Sequence, residues 1–247
     1  MTTFLLVPGL FMGGWAWEAV AAELTARGHR ALPVTLPGMA ERAAEEDPAG
    51  IGLGEHTDAV AALLDAEGPG TVLVAHSYGI FPALAAADRR PGQVARVVFL
   101  DTGFPEPGES LVAQMPQLGL AEQAVDGLIP VPEEIPAVHA VPPAELERYH
   151  RLATPQPVRT VTDPVELTGA WLKLPTTGVF CRANGLSVEL ARHLHGTGLP
   201  RFAKLADPDV TYFELDTGHY PMLSTPVELA DVLVRAAAGE GVGLYEA

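Results

Sequence analysis

The chain has 247 residues, 48% of them hydrophobic, and that length fits one domain carrying an insertion better than two full domains. Fifteen basic against 31 acidic side chains leave a net charge of −16, which argues against nucleic acid and anionic membrane surfaces as partners and leaves a small neutral substrate open. No apolar run reaches the roughly 18 residues a spanning helix needs, the N-terminal segment lacks a basic leader and a small-residue cleavage site, and the single Cys181 allows no internal disulfide, so a cytoplasmic protein away from membranes is expected.

Residues 3–7 form a short apolar strand, and residues 15–27 carry helical periodicity that stops at Gly28. A second strand over 30–34 leads into a polar, glycine-bearing loop, 37–54, whose acidic run from Glu41 to Asp47 reads as a solvated face. Residues 55–66 are helical, with Val60, Leu63 and Leu64 on one face; 71–75 is a strand, 80–88 a helix and 96–100 a strand. Apolar strands separated by helices predict an α/β fold with a mostly parallel central sheet flanked by helices. From Thr102 to Leu174 the rhythm breaks around Pro130, Pro132, Pro136, Pro142 and Pro143, with short helical pieces expected at 109–115, 118–127 and 143–152. So long a stretch is expected to form a small subdomain, 102–174, inserted into a core made of 1–101 and 175–247. The rhythm resumes with a strand at 177–181, a helix at 187–195, a strand at 210–215 and a last helix at 226–238. The tail, 239–247, is expected to be loosely held unless Leu244 and Tyr245 dock. Cys181, inside Gly178-Val179-Phe180-Cys181, reads as a core thiol.

The chemistry centres on Ala75-His76-Ser77-Tyr78-Gly79, where an apolar strand runs into a serine and then a helix. Small residues flank such a tight turn, which projects the serine hydroxyl from the end of a parallel sheet; alanine stands here where G-x-S-x-G has its first glycine. A serine hydroxyl needs a base and an oxyanion site. His219, in Gly218-His219-Tyr220 after the last strand, falls at the same sheet edge as Ser77. The other histidines sit less well: His29 ends a helix, His56 begins one, and His76 adjoins the serine, where neighbouring side chains point apart. The run Gly9-Leu10-Phe11-Met12-Gly13-Gly14 after the first strand lets backbone approach a ligand, so the amides of Leu10 and Tyr78 are the candidate oxyanion donors. Leu10, Phe11, Phe104, Trp171 and Tyr220 lie beside these positions or at the ends of the insertion, as pocket wall or as core. No His, Cys or acidic spacing indicates a metal, and no dinucleotide fingerprint or P-loop is present, so a cofactor-independent enzyme is expected.

Together these segments resemble the α/β-hydrolase superfamily over essentially the whole chain, nearest its small esterases and hydroxynitrile lyases, with the plant methylester esterases among them. The resemblance is carried by Pro8-Gly9 with Gly13-Gly14-Trp15-Ala16-Trp17, by Leu36-Pro37-Gly38, by Ala75-His76-Ser77-Tyr78-Gly79, by Phe99-Leu100-Asp101 with Pro105 and Gly108-Glu109-Ser110, and by Gly218-His219 with Met222, Pro226, Glu228 and Leu229. It implies a Ser-His-acid triad with Ser77 as nucleophile and His219 as base, and it makes the proline-rich insertion a cap over the site. The chain departs from the family at Pro8, where a histidine is usual, and at Asn184, which stands where the family places its triad aspartate. Some superfamily members take the acid from the position of Asp101. The third member is therefore open between Asp101, Asn184 as a neutral orienter, and Asp207, Asp209 or Asp216.

Three functions follow as alternatives: hydrolysis of a small apolar ester, thioester or lactone through an acyl-enzyme; Ser/His proton-transfer chemistry without one, such as lyase, cyclase, C–C hydrolase or cofactor-free oxygenase; or small-molecule binding on the same scaffold. The substrate and the oligomeric state, a homodimer included, are left open.

Overall fold

The computed structural model describes residues 1–44 and 47–246, so Glu45 and Glu46 of the acidic run and Ala247 of the tail lie outside the described residues. In chain order the elements are β1 (Thr3–Val7), α1 (Glu18–Ala26), β2 (Arg30–Pro33), α2 (Leu53–Glu67), β3 (Thr71–His76), α3 (Ile80–Arg89), β4 (Val94–Leu100), α4 (Leu111–Gln114), β5 (Leu128–Ile129), α5 (Pro143–Leu152), β6 (Gln156–Pro157), α6 (Arg159–Thr162), β7 (Thr176–Cys181), α7 (Val188–Gly196), β8 (Val210–Leu215), α8 (Pro221–Ser224) and α9 (Pro226–Ala237). Six strands form one sheet in the order β2-β1-β3-β4-β7-β8, parallel at every pairing. Every residue of β3 and β7 is buried, as a parallel sheet covered on both faces requires.

The register aligns the carboxyl ends of the inner strands. Val7 pairs with Ala75, His76 with Leu100, Leu100 with Val179, and Cys181 with Leu215. The loops that follow β1, β3, β4, β7 and β8 therefore emerge along one edge. Between β1 and β3 the strand order reverses, because the chain first grows outward to β2 and then returns past β1. Loops leaving two such strands diverge and open a crevice at the carboxyl edge.

Residues 102–174 leave the sheet after β4 and return before β7. Their base is closed by the Gly108 amide donating to Val165 O and the Val165 amide to Glu109 O, at 2.8 and 2.9 Å. The exit is tied to α3, where the Asp88 carboxylate accepts from the Thr168 amide and hydroxyl and, at 2.9 Å, from the Trp171 amide. The expected helix over 118–127 is absent. Only Leu118 belongs to a 3-10 turn, Gly119 and Asp126 take positive φ, and Leu120 alone of the segment is fully buried. A short segment with one buried apolar contact does not repay helix nucleation. The antiparallel ribbon of β5 with β6, too short to signal itself in sequence, crosses the insertion instead.

The tail is held rather than loose. Val242 bridges Tyr212 on edge strand β8, Leu244 is 4% exposed, the Arg192 guanidinium donates to Leu244 O, and the Tyr245 hydroxyl meets His195 Nδ1 at 2.6 Å. Among the described residues no helix is long and apolar enough to cross a membrane. Truncation after Gly241 exposes the Leu244 site and is expected to cost about 2 kcal/mol, seen as a melting temperature lower by roughly 4–8 °C. An unchanged melting temperature would show that the docked tail adds nothing to the fold.

Candidate active site

Ser77 and the glycine loop meet at the carboxyl ends of β1 and β3. Ser77 follows β3 directly with φ at 52°, a left-handed conformation that costs a non-glycine residue about 1–3 kcal/mol and persists only where neighbours over-determine it. Those neighbours are visible at two glycines. A Cβ on Gly79 would lie 2.5 Å from Pro8 O, and one on Gly9 would lie 2.8 Å from His76 Nδ1 and 3.1 Å from Ser77 Cβ. Gly9 therefore lets the loop after β1 approach the serine turn, and Leu10 follows it. Tyr78 is the second residue of the 3-10 turn Ser77–Gly79 that leads into α3, so its amide is one of the orphan donors at a helix start. The N-terminal end of that helix also favours negative charge forming beside Ser77.

His219 returns from β8 across β7 to β4. Two strand spacings separate β8 from β4, roughly 9.6 Å, and four residues past Leu215 span up to roughly 14 Å. His219 Nδ1 lies 2.6 Å from Asp101 Oδ2. Asp101 caps β4 with φ at 50° and is 3% exposed. Its Oδ1 accepts from the Cys181 amide at 2.9 Å, and its Oδ2 also accepts from Asn184 Nδ2 at 2.6 Å. Asn184 Nδ2 and His219 Nδ1 stand 3.2 Å apart. An ionised carboxylate only accepts, so His219 carries its proton on Nδ1 toward Asp101. Two donors then converge on one oxygen, and Nε2 is left as the basic nitrogen. The Cys181 thiol is held high by burial and by the Asp101 charge, which keeps it protonated.

The remaining acids stand elsewhere. Asp207 and Asp209 precede β8, at the opposite end of that strand from His219, and Asp207 pairs with Lys204 at 3.1 Å. Asp216 is exposed and faces Arg182 at 3.5 Å. Among the described residues, no group of three or more His, Cys, Asp and Glu side chains is placed to hold a metal.

The His219 loop is fixed from two sides. His76 Nε2 donates to His219 O at 2.7 Å, and the two rings lie 4.6 Å apart. Burial, with the neighbouring His219, pushes His76 well below its ordinary value, so it stays neutral. From the insertion, Ala137 O accepts the His219 amide at 2.9 Å and His139 O accepts the Gly218 amide at 3.2 Å. Behind the serine turn, the Tyr78 hydroxyl donates to His56 Nδ1 and His56 Nε2–H donates to Pro37 O, both at 2.8 Å. Burial lowers His56 to about 4. His56 and His76 are the site-supporting residues that the sequence reading set aside. The one signal available for His76 was its place between a fully apolar strand and the serine.

Of the five pocket candidates, the structure brings three to this site. Leu10 and Phe11 lie on the loop beside Ser77, and the Tyr220 ring sits 5.2 Å from the His219 ring and 6.0 Å from that of His76. Phe104 instead packs on Phe99 at 4.4 Å and lines a cavity of about 120 Å³ between the sheet and α7, with Phe180, Leu190 and Phe202 among its walls. Trp171 packs on Phe104 at 4.8 Å and its amide is held by Asp88, near the far end of α3. At 1.5 Å per residue that end is roughly 15 Å from Ser77. Trp171 is thus a core anchor for the exit of the insertion rather than a wall beside the serine.

A family model described as the alpha/beta hydrolase family matches residues 4–232. A carbendazim hydrolyzing esterase of Nocardioides sp. (strain SG-4G) is 31% identical over 251 aligned positions, covering 94% of this chain and 98% of that one. The esterase PIR7B of Oryza sativa subsp. japonica is 38% identical over 112 residues, 44% of this chain and 41% of its own length. Among solved structures, an extracellular alpha/beta-hydrolase from a Paenibacillus species superposes with a TM-score of 0.78 at 18% identity, over 96% of this chain and 99% of that one. The methylesterase MES16 of Arabidopsis superposes at 0.75 with 19% identity, over 96% and 99%.

The buried histidine behind Tyr78 has a measurable consequence. Above pH 6.5 His56 is neutral whether the chain is folded or not; below it the unfolded chain takes up a proton that the folded one refuses until about pH 4. Stability therefore falls as pH drops through that window. Urea unfolding at pH 7 and pH 5 should show His56→Gln losing about 2 kcal/mol less than the parent between the two. Equal losses in both proteins would mean that His56 is not held neutral.

Proposed function

The chain belongs to the alpha/beta hydrolase family, and from that premise we propose that it hydrolyses a small, uncharged ester, thioester or lactone through an acyl-enzyme on Ser77. The observation that carries the reading is the Asp101 carboxylate on His219 Nδ1, at the same sheet edge as a strained serine and a glycine loop. The similar Nocardioides and rice proteins are named esterases, which supports ester chemistry without fixing the substrate.

His219 Nε2 takes the Ser77 hydroxyl proton as Oγ bonds to the substrate carbonyl carbon, and the carbonyl electron pair moves onto oxygen. The Leu10 and Tyr78 amides hold that oxyanion. Asp101 steadies the imidazolium. Collapse re-forms the carbonyl and breaks the bond to the leaving group, which departs with the proton from Nε2. Water then repeats the cycle: His219 removes its proton, it attacks the acyl carbon, and Ser77 leaves with the proton returned. Asn184 donates to Asp101 and keeps that carboxylate facing His219, so it acts here as a positioning residue and not as the third triad member.

A carboxylate 2.6 Å from His219 Nδ1 supports the acyl-enzyme reading over proton-transfer chemistry without one, because it favours a strong base beside Ser77. A pure binding role leaves the Ser77 and Asp101 backbone strain without a use.

Turnover of a p-nitrophenyl ester tests the assignment. Ser77→Ala should lose roughly 10⁶ in kcat, Asp101→Asn roughly 10³–10⁴, and Asn184→Ala no more than about tenfold. Full activity in Ser77→Ala would refute the acyl-enzyme. Large loss in Asn184→Ala with little in Asp101→Asn would transfer the third role to the amide.

A further inference from the structure

We propose that Gln156, a residue of the insertion, is a positioning residue of the oxyanion site, setting the Phe11 peptide and with it the Leu10 amide. The inference rests on the ester-hydrolase reading above, in which that amide meets the oxyanion.

Phe11 has φ at 65°, in the left-handed region that a bulky residue adopts only under constraint. Both of its backbone polar groups are engaged by the insertion. Its amide donates to Gln156 Oε1 at 3.1 Å, and its carbonyl accepts from the Thr154 amide at 3.1 Å. The Thr154 hydroxyl accepts from the Ala40 amide at 2.8 Å, which pins the same strand to the loop after β2. The peptide next to Leu10 is thus held at its nitrogen and, one residue on, at its carbonyl by a segment about 145 positions away in sequence.

Gln156 is 1% exposed and both ends of its amide are used. Nε2 donates to Thr160 Oγ1 at 2.8 Å, and the Thr160 hydroxyl donates to Pro157 O at 2.6 Å. Because the Thr160 proton is spent on Pro157, Thr160 can only accept from Gln156. That fixes the amide with its oxygen toward Phe11. Pro155 and Pro157 flank Gln156 and stiffen its backbone. A buried polar chain therefore runs from the Phe11 amide through Gln156 to Thr160 and Pro157, directly behind the loop that carries Leu10.

The test combines ester kinetics with a trifluoromethyl ketone analogue of the ester, whose adduct with a serine places an oxyanion between the donors. Gln156→Met keeps the length and removes the acceptor. It should lower kcat by roughly 10–100-fold with KM little changed, and weaken the trifluoromethyl ketone by the same factor. A merely structural role would not produce this paired loss in kcat and ketone affinity at an unchanged KM. If Gln156→Met does not fold, Thr160→Val, which frees the Gln156 amide to turn, should show the same paired loss at smaller size. Folded Gln156→Met or Thr160→Val with unchanged kcat and unchanged ketone affinity, while Ser77→Ala is inactive, overturns the proposal. Activity retained in Ser77→Ala overturns the ester-hydrolase reading instead.

Discussion

The contact between Asp101 and His219 is the interaction on which the rest of the site depends. A buried carboxylate is tolerable only when its oxygens are filled, and here Cys181 at the end of β7, Asn184 in the turn that follows it and His219 in the loop after β8 supply three donors. The carboxylate thus ties β4, β7 and the loop after β8 together.

The sheet supplies the placement and the insertion supplies much of the restraint. The loops after β1 and β3 meet because Gly9 and Gly79 let their backbones approach closely. The insertion then grips both loops by hydrogen bonds to their backbone, from the carbonyls of Ala137 and His139 on the His219 side and from the Thr154 amide and the Gln156 side chain on the Phe11 side. Ala137 and Ala140 also take positive φ, which concentrates strain where the insertion meets the His219 loop. A segment so joined is part of the site's frame. Displacing it would release the histidine loop and the oxyanion loop together.

Strands and long helices were legible because their signals are local. Apolar runs such as Val97-Val98-Phe99-Leu100 and the periodicity of 226–238 state their own structure, and the small residues around Ser77 state the turn. Asp101 was visible as a candidate acid through the resemblance, since it ends the strand after that of Ser77, where some superfamily members place their acid. What stayed hidden depended on distant partners. Nothing near Gln156 in sequence announces Phe11, and nothing near His56 announces Tyr78. Both are buried polar pairs whose sense appears only when the chain is folded. Trp171 stayed open between pocket and core for the same reason: an aromatic residue at the end of an insertion looks alike whether it faces a substrate or anchors to Asp88. The segment 118–127 misled through composition, since good helix formers without a buried face do not make a helix.

Ser77 as a nucleophile activated by the Asp101-supported His219 is tested most directly by a fluorophosphonate, followed by mass-spectrometric mapping of the labelled peptide. One covalent adduct is expected, on Ser77, forming in the native protein and suppressed when His219 is replaced by alanine. Folded protein that stays unlabelled, or label found on any other residue, would contradict it.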